Sequence, residues 1–398
     1  MTINRAIPYA IVMFNGFPVS AFVNYGMPDT LEEFEALLRR RCCLFYVTFE
    51  HIRIKTYNPI TCISISKILG NRTIDIVDNG RLVEGHNITL CCNELDWEDI
   101  KDNYDFEVFT IRDLHIAKKG YLPKVYRDTV FNLFLEKCKL EEKKKIDPEY
   151  EYLYAKYKNK LNSTFGMFLT EICHNEITYN YDTLEWESTT PNVQEQLDKY
   201  FKSYNSFLFY PQGAYVTSFC RLRLHRLIRC CNKPYYWDTD SCKGADWDFE
   251  KLEQLNNETI KGLEEEGYVA EVNAKKYYLG IAERDSEMIL FKGMGAKKYA
   301  YVTPDHELHT TIAGVNKKKG AIELKEKGGI EVFNDGFKFV EAGSICAKYN
   351  DEPIHVEVIA GEEFEVASNI ALVPTTYTLS RPDDYLKRAN FTIYERID

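Results

Sequence analysis

The chain of 398 residues has no apolar run approaching the roughly eighteen residues a membrane span requires, and no signal-peptide pattern at its start. A protein of the reducing cytoplasm, without a membrane partner, is therefore expected. Zinc-type cysteine spacing is missing too: the twelve cysteines include the adjacent pairs Cys42-Cys43, Cys91-Cys92 and Cys230-Cys231, which no simple metal site accommodates. Free buried thiols are the expectation. The eight histidines form no cluster with metal-ligand or acid/base spacing. No segment is biased enough in composition to predict disorder. Nor is there an excess of positive charge: 50 Lys and Arg against 61 Asp and Glu leave a net charge of −11. That excludes a general nucleic-acid sponge, because phosphate binding needs clustered cations.

What is present is a chain 45% apolar and 14% aromatic, enough for two or three cores in a multi-lobed protein. Its cations gather at Lys143 to Lys145, Arg221 to Arg229, Lys297-Lys298 and Lys317 to Lys319, and acids gather at 251–265 and 361–365. An uneven field of this kind suits a cleft that steers a polyanion while the exterior stays soluble.

Tyr236-Trp237-Asp238-Thr239-Asp240-Ser241 places two carboxylates one residue apart on a strand entering a turn. The plain reading is a surface turn, since Asp, Thr and Ser are turn formers. The chemical reading is a Mg²⁺ site: a hard cation takes one or two carboxylates and completes its shell with water and substrate phosphates. Mn²⁺ would be an alternative, and two such ions can clamp an in-line displacement.

Upstream, Lys158-Asn159-Lys160-Leu161-Asn162-Ser163-Thr164-Phe165-Gly166 follows a helical pattern of Tyr150, Leu153, Tyr154 and Tyr157, with Pro148 near its start. Lys158, Asn162 and Phe165 fall at i, i+4 and i+7, so ammonium, amide and ring share a stripe. Alone, that pattern is a solvated helix with an aromatic core face.

The two runs in this order, Lys-x3-Asn-Ser-x-Phe-Gly and then Tyr-x-Asp-Thr-Asp-Ser, resemble the B and C motifs of family B DNA polymerases, particularly the protein-primed branch of phages and linear plasmids. Tyr210-Pro211-Gln212-Gly213-Ala214-Tyr215 resembles the helix entry before motif C. Gly295-Ala296-Lys297-Lys298-Tyr299 resembles the Lys-x-Tyr motif, and Ala313-Gly314-Val315 the entry to the thumb. The landmarks run from about residue 130 to 320.

The resemblance implies template-directed addition of dNTPs to a primer 3′-hydroxyl, or to a terminal priming protein. Asp238 and Asp240 would be the metal ligands. Lys158, and a lysine near the helix–helix turn such as Lys145, would meet the triphosphate. Asn162 and Phe165 would lie at the nascent pair. Ser163, Gly166, Gly213, Lys297 and Tyr299 would meet the primer-template DNA. Phe165 lacks the hydroxyl of the family's tyrosine.

One departure stands out. Motif A, Asp-x-x-Ser-x-Tyr-Pro, supplies a third metal-binding carboxylate, and its nearest counterpart is Thr2-Ile3-Asn4-Arg5-Ala6-Ile7-Pro8, in which only the proline survives. Thr2 then stands at the aspartate and Ile7 at the tyrosine that rejects ribonucleotides. The Asp-x-Glu exonuclease domain is absent. Two accounts follow: a split or interrupted polymerase whose exonuclease and motif A chain is a separate partner, or a catalytically silent DNA-binding remnant.

The expected fold is α+β, a right-hand polymerase with a mixed or antiparallel sheet palm, two-helix fingers and a small β-rich thumb. The expected divisions are 1–93, the N-terminal palm, with strands from residue 6 to about 66; 94–126, an insertion resembling the priming-protein-binding region; 127–171, fingers; 172–205, a second insertion; 206–302, palm with the acidic hairpin; and 303–398, thumb and C-terminal region.

Overall fold

The computed structural model describes the chain except residues 58, 79, 174, 181–182, 184, 204–208, 350–354, 360–361, 367–369, 381–392 and 397–398. Parts of the expected second insertion, 172–205, and of the expected thumb and C-terminal region, 303–398, therefore lie outside the described residues.

Residues 17–120 build one antiparallel sheet, ordered Phe17–Pro18, Phe109–Gly120, Arg41–Ile54, Arg81–Asn93, Thr73–Asp78. Cys43, Phe45, Val47 and Phe49 are buried and the residues between them only half-buried, so period-two patterning gives the long central strand one apolar face. Helices α2 (Leu31–Arg40) and α3 (Glu94–Asn103) cover it with Phe34, Leu38, Trp97 and Ile100. The sheet runs straight across residue 93.

Two stretches of the 6–66 region expected as strand are helix: α1 (Ala6–Met13) and α2. A short, wholly apolar run such as Ala6 to Met13 carries no period, and burial on every side decides it. Pro8 sits in the first turn, where its missing N–H costs nothing. Thr30 caps α2 by accepting the Glu33 N–H at 3.1 Å, a Thr-x-x-Glu signal visible in the sequence.

The second core gathers α1, α4 (Lys124–Lys144), α5 (Tyr150–Gly166), α7 (Tyr210–Ile228) and α8 (Phe249–Glu266); α6 (Val193–Lys202) lies apart with no buried residue. Ala10, Ile11, Val12, Val130, Phe134, Tyr215, Val216 and Leu227 are its centre. A third core lies under the sheet Leu290–Gly293, Lys298–Val302 and Leu308–Ile312, covered by α9 (Lys317–Glu326). The mixed α+β class expected from the sequence is the one observed.

Polar side chains fasten α7 to the large sheet. The Tyr215 hydroxyl donates to Glu94 at 2.6 Å, Asn93 Nδ2 to Ser218 Oγ at 3.0 Å, and Ser218 Oγ to Asp96 at 2.9 Å. Arg221 pairs with Asp96, and His225 Nδ1 lies 2.6 Å from Asp99. The basic run Arg221 to Arg229 expected beside the cleft is thus largely paired internally, though Arg221 still lines the cleft. Arg223 is buried, donating to Thr259 and to the Gly280 carbonyl, and Arg229 pairs with Asp102. Apolar surroundings made internal partners obligatory for these guanidinium groups.

Candidate active site at the acidic hairpin

Strands Cys231–Asp238 and Ser241–Trp247 pair antiparallel, with Asp238 opposite Ser241 and only Thr239 and Asp240 at the tip. Thr239 has φ 56°, and the Asp240 N–H donates to the Asp238 carbonyl at 2.7 Å, which turns both carboxylates out at one end. The two-residue strand Thr2–Ile3 lies alongside. Thr2 pairs with Ser241 on one side and Glu283 on the other, and the Ile3 N–H donates to the Asp240 carbonyl at 2.7 Å.

The two carboxylates sit in different environments. Asp238 Oδ2 accepts from Lys297 Nζ at 2.7 Å and Oδ1 from the Thr239 hydroxyl at 2.9 Å. Lys297, with φ 54°, also donates its N–H to the Tyr236 hydroxyl at 2.9 Å. Burial, with the Asp238 charge behind it, holds the Asp240 carboxyl above the ordinary aspartate range, and Arg5 opposes the shift.

The hairpin tip opens on a cleft of about 1210 Å³, lined on this side by Arg5, Ile7, Asn162, Phe165, Asp238 and Asp240. Loops of the large sheet, with Ser64, Ser66 and Arg81, and α7, with Arg221, form the facing wall. A volume above the 300–1,000 Å³ usual for small ligands suits a polymer with a bound monomer.

Of the residues singled out in the sequence, the fold brings Asn162 and Phe165 to the same cleft as Asp238 and Asp240. Leu161 and Thr164 are buried in the core, against which Phe165 also packs. Lys158 is exposed one turn before Asn162, outside the cleft lining. Lys145 sits at the α4–α5 connection, 2.5 Å from Glu142. Ser163 is exposed and donates to the Asn159 carbonyl at 2.8 Å, and Gly166 ends α5 in solvent. Gly213 is buried in α7, where a Cβ would lie 2.6 Å from the Leu169 side chain. Tyr299 packs with Tyr236 at 4.8 Å between ring centres, and with Phe291 and Tyr301.

The carboxylates of Asp238 and Asp240 are hard oxygen donors of the kind Mg²⁺ takes one or two at a time, completing its shell with water and phosphate. Among the described residues no group of three His, Cys, Asp or Glu side chains is placed to hold a metal ion.

No protein-family model and no curated protein sequence matches the chain. Among solved structures, phi29 DNA polymerase complexed with primer-template DNA superposes with a TM-score of 0.61 at 15% identity, covering 95% of this chain. The same polymerase complexed with primer-template DNA and incoming nucleotide substrates gives 0.61 at 17%, again over 95%. This chain has the fold of phi29 DNA polymerase. It spans 57% of that enzyme's length. The resemblance read from the sequence holds at the level of the fold.

Within this polymerase fold, sequence reasoning missed Arg5 and Arg81 as cleft-lining cations. Arg5 was in view, in the run ending at Pro8, but nothing about its spacing marked it. Arg81 reaches the cleft only because the large sheet folds back over α7, a long-range relation with no local signature.

Proposed function

We propose that this chain is the polymerase portion of a template-directed DNA polymerase, adding dNTPs to the 3′-hydroxyl of a primer on template DNA, or to a priming protein. The observation that carries it is the shared cleft: the acidic tip and the Asn162–Phe165 stripe of α5 face one cavity in a phi29 polymerase fold. In this reading α1, α7 and the acidic hairpin are palm, α4 and α5 are fingers, and the sheet Leu290–Ile312 with α9 leads into a thumb.

Asp238 and Asp240 are assigned as ligands of Mg²⁺ or Mn²⁺, which when bound neutralises charge on the reacting phosphates. Lys158, on a flexible stem above Asn162, meets the triphosphate, with Lys145 as a second candidate. Asn162 hydrogen-bonds beside the nascent base pair and Phe165 stacks under it. Lys297 and Tyr299 hold the primer-template, and Ser163, Gly166 and, through its packing under Leu169, Gly213 border its path. Positioning is the protein's main contribution to phosphoryl transfer.

A second reading has its own support. Thr2 carries no carboxylate where the family resemblance implies one, and Lys297 already neutralises Asp238. In that reading the chain binds primed DNA in the same cleft without chemistry. Primer extension with Mg²⁺, run beside gel-shift binding of the same primed DNA, separates the two. Extension abolished by Asp240→Asn supports the enzyme. Binding without extension supports the silent form, and neither activity removes both.

A further inference from the structure

Three arginines line the cleft: Arg5, Arg81 and Arg221. Arg81 donates to the Cys62 carbonyl at 3.4 Å, and Arg221 is held by Asp96 and lies 3.5 Å from Asp99. Arg5 alone makes no side-chain hydrogen bond or ion pair to any described residue, and its Nε is buried without a partner.

Its position is fixed by the backbone. The Ile3 N–H is bound to the Asp240 carbonyl at 2.7 Å, and Asn4 both donates to Ile281 at 2.7 Å and accepts from Gly280 at 2.6 Å. The chain then turns sharply at Arg5, with φ 53° and ψ 50°, and enters α1. A residue other than glycine, asparagine or aspartate seldom takes this conformation. The turn leaves Arg5 lining the same cleft as Asp238, Asp240 and Asn162.

A guanidinium presents five donors in a planar fork, is never neutral, and matches phosphate oxygens in pairs. Arg5 forms no ion pair with a described carboxylate and feels Asp240 and Glu283 only through space, so its donors are free to take an anion arriving from solution. Among the described residues no group of three His, Cys, Asp or Glu side chains is placed there to hold a metal ion. A fixed cation beside the tip does part of the neutralising work that a second ion would do.

We infer that Arg5 is a phosphate-holding residue of this cleft, taking the phosphate tail of a nucleoside triphosphate without needing a divalent cation. This rests on the proposed nucleotide site and adds a residue and a metal-independent mode to it.

The test is binding in EDTA, with dTTP and inorganic tripolyphosphate as probes and calorimetry or fluorescence as readout. The wild type binds both. Arg5→Gln loses at least about tenfold in affinity for each, the usual weight of a charge-assisted pair to phosphate. Asp240→Asn, which leaves Arg5 in place and removes the facing charge, binds tripolyphosphate more tightly. Thermal melts establish that each variant is folded; if Arg5→Gln is not, the Asp240→Asn comparison decides. No binding to wild type in EDTA, equal binding by folded Arg5→Gln, or no tightening in Asp240→Asn overturns the inference. If dTTP then still binds with Mg²⁺, only the role of Arg5 is lost. If dTTP binds under neither condition, the nucleotide reading of the cleft is lost as well.

Discussion

Lys297 Nζ sits 2.7 Å from Asp238 Oδ2, while the same lysine's backbone N–H donates to the Tyr236 hydroxyl 2.9 Å away. The lysine thus touches a proposed metal ligand and the aromatic cluster beneath it. Both ends of the ion pair are partly exposed, so it stabilises the fold by at most about 1 kcal/mol.

Lys297→Ala therefore shifts the melting temperature little, yet frees Asp238. Mn²⁺ affinity, read by electron paramagnetic resonance, should rise by about fivefold, the equivalent of that same ~1 kcal/mol. An unchanged affinity would show that the lysine does not compete with a cation for this carboxylate.

Asp240 gives a pH signature. Burial raises its carboxyl in the folded state above the unfolded value. The folded protein then holds the proton to higher pH than the unfolded chain, so stability falls as pH rises between the two values and the penalty persists above them. Asp240→Asn removes that penalty. In melts without divalent cations the variant should exceed the wild type at pH 7, and the gap should close near pH ~3, below the ordinary aspartate value. A gap that widens toward acid would mean that Asp240 stabilises the fold as a charge.

The Asp99–His225 pair joins α3 to α7 at 2.6 Å with both side chains almost fully buried. Asp99 also accepts from Asn103 at 3.1 Å and faces Arg221. Asp99→Ala leaves those donors without a carboxylate, and urea unfolding should register a loss of about 3–5 kcal/mol. A loss below ~1 kcal/mol would mean the network rearranges at little cost.

Gly213→Ala forces a methyl to 2.6 Å from the Leu169 side chain and 3.1 Å from Phe168. Overpacking of this kind costs about 1–3 kcal/mol. The shift it transmits to the end of α5 should also weaken primer-template binding, measured on protein shown to be folded. Full stability with full affinity would remove Gly213 from the site.

What was legible in the sequence follows from how local each signal was. The acidic hairpin, the α4–α5 pair, α7 and α8 each carried an internal period or turn, and all are present. Ala6 to Met13 carried none, and only packing against α4, α5 and α7 makes it helical. Thr30-Leu31-Glu32-Glu33 did carry a capping signal for α2, which the surrounding strand-like pattern obscured. At the site, spacing put Asn162 and Phe165 on one stripe and the resemblance to motif B singled it out, and neither showed that Lys158 stays outside the cleft lining. Arg223 illustrates the remaining gap: a charge in a basic run reads as surface, and only the three-dimensional neighbours Tyr9, Thr259 and Gly280 reveal an interior role.

The bonds from Asn93, Glu94, Asp96 and Asp99 to α7 have a mechanical corollary. They make the large sheet and the floor beneath the acidic tip one stiff jaw, because sliding either past the other would strip several buried donors at once. The opposing jaw is α5, in which only Leu161 and Thr164 are buried. With fewer buried side chains to hold it, α5 is the element expected to give first under strain, carrying Phe165 with it while the acidic tip, backed by α7, stays put.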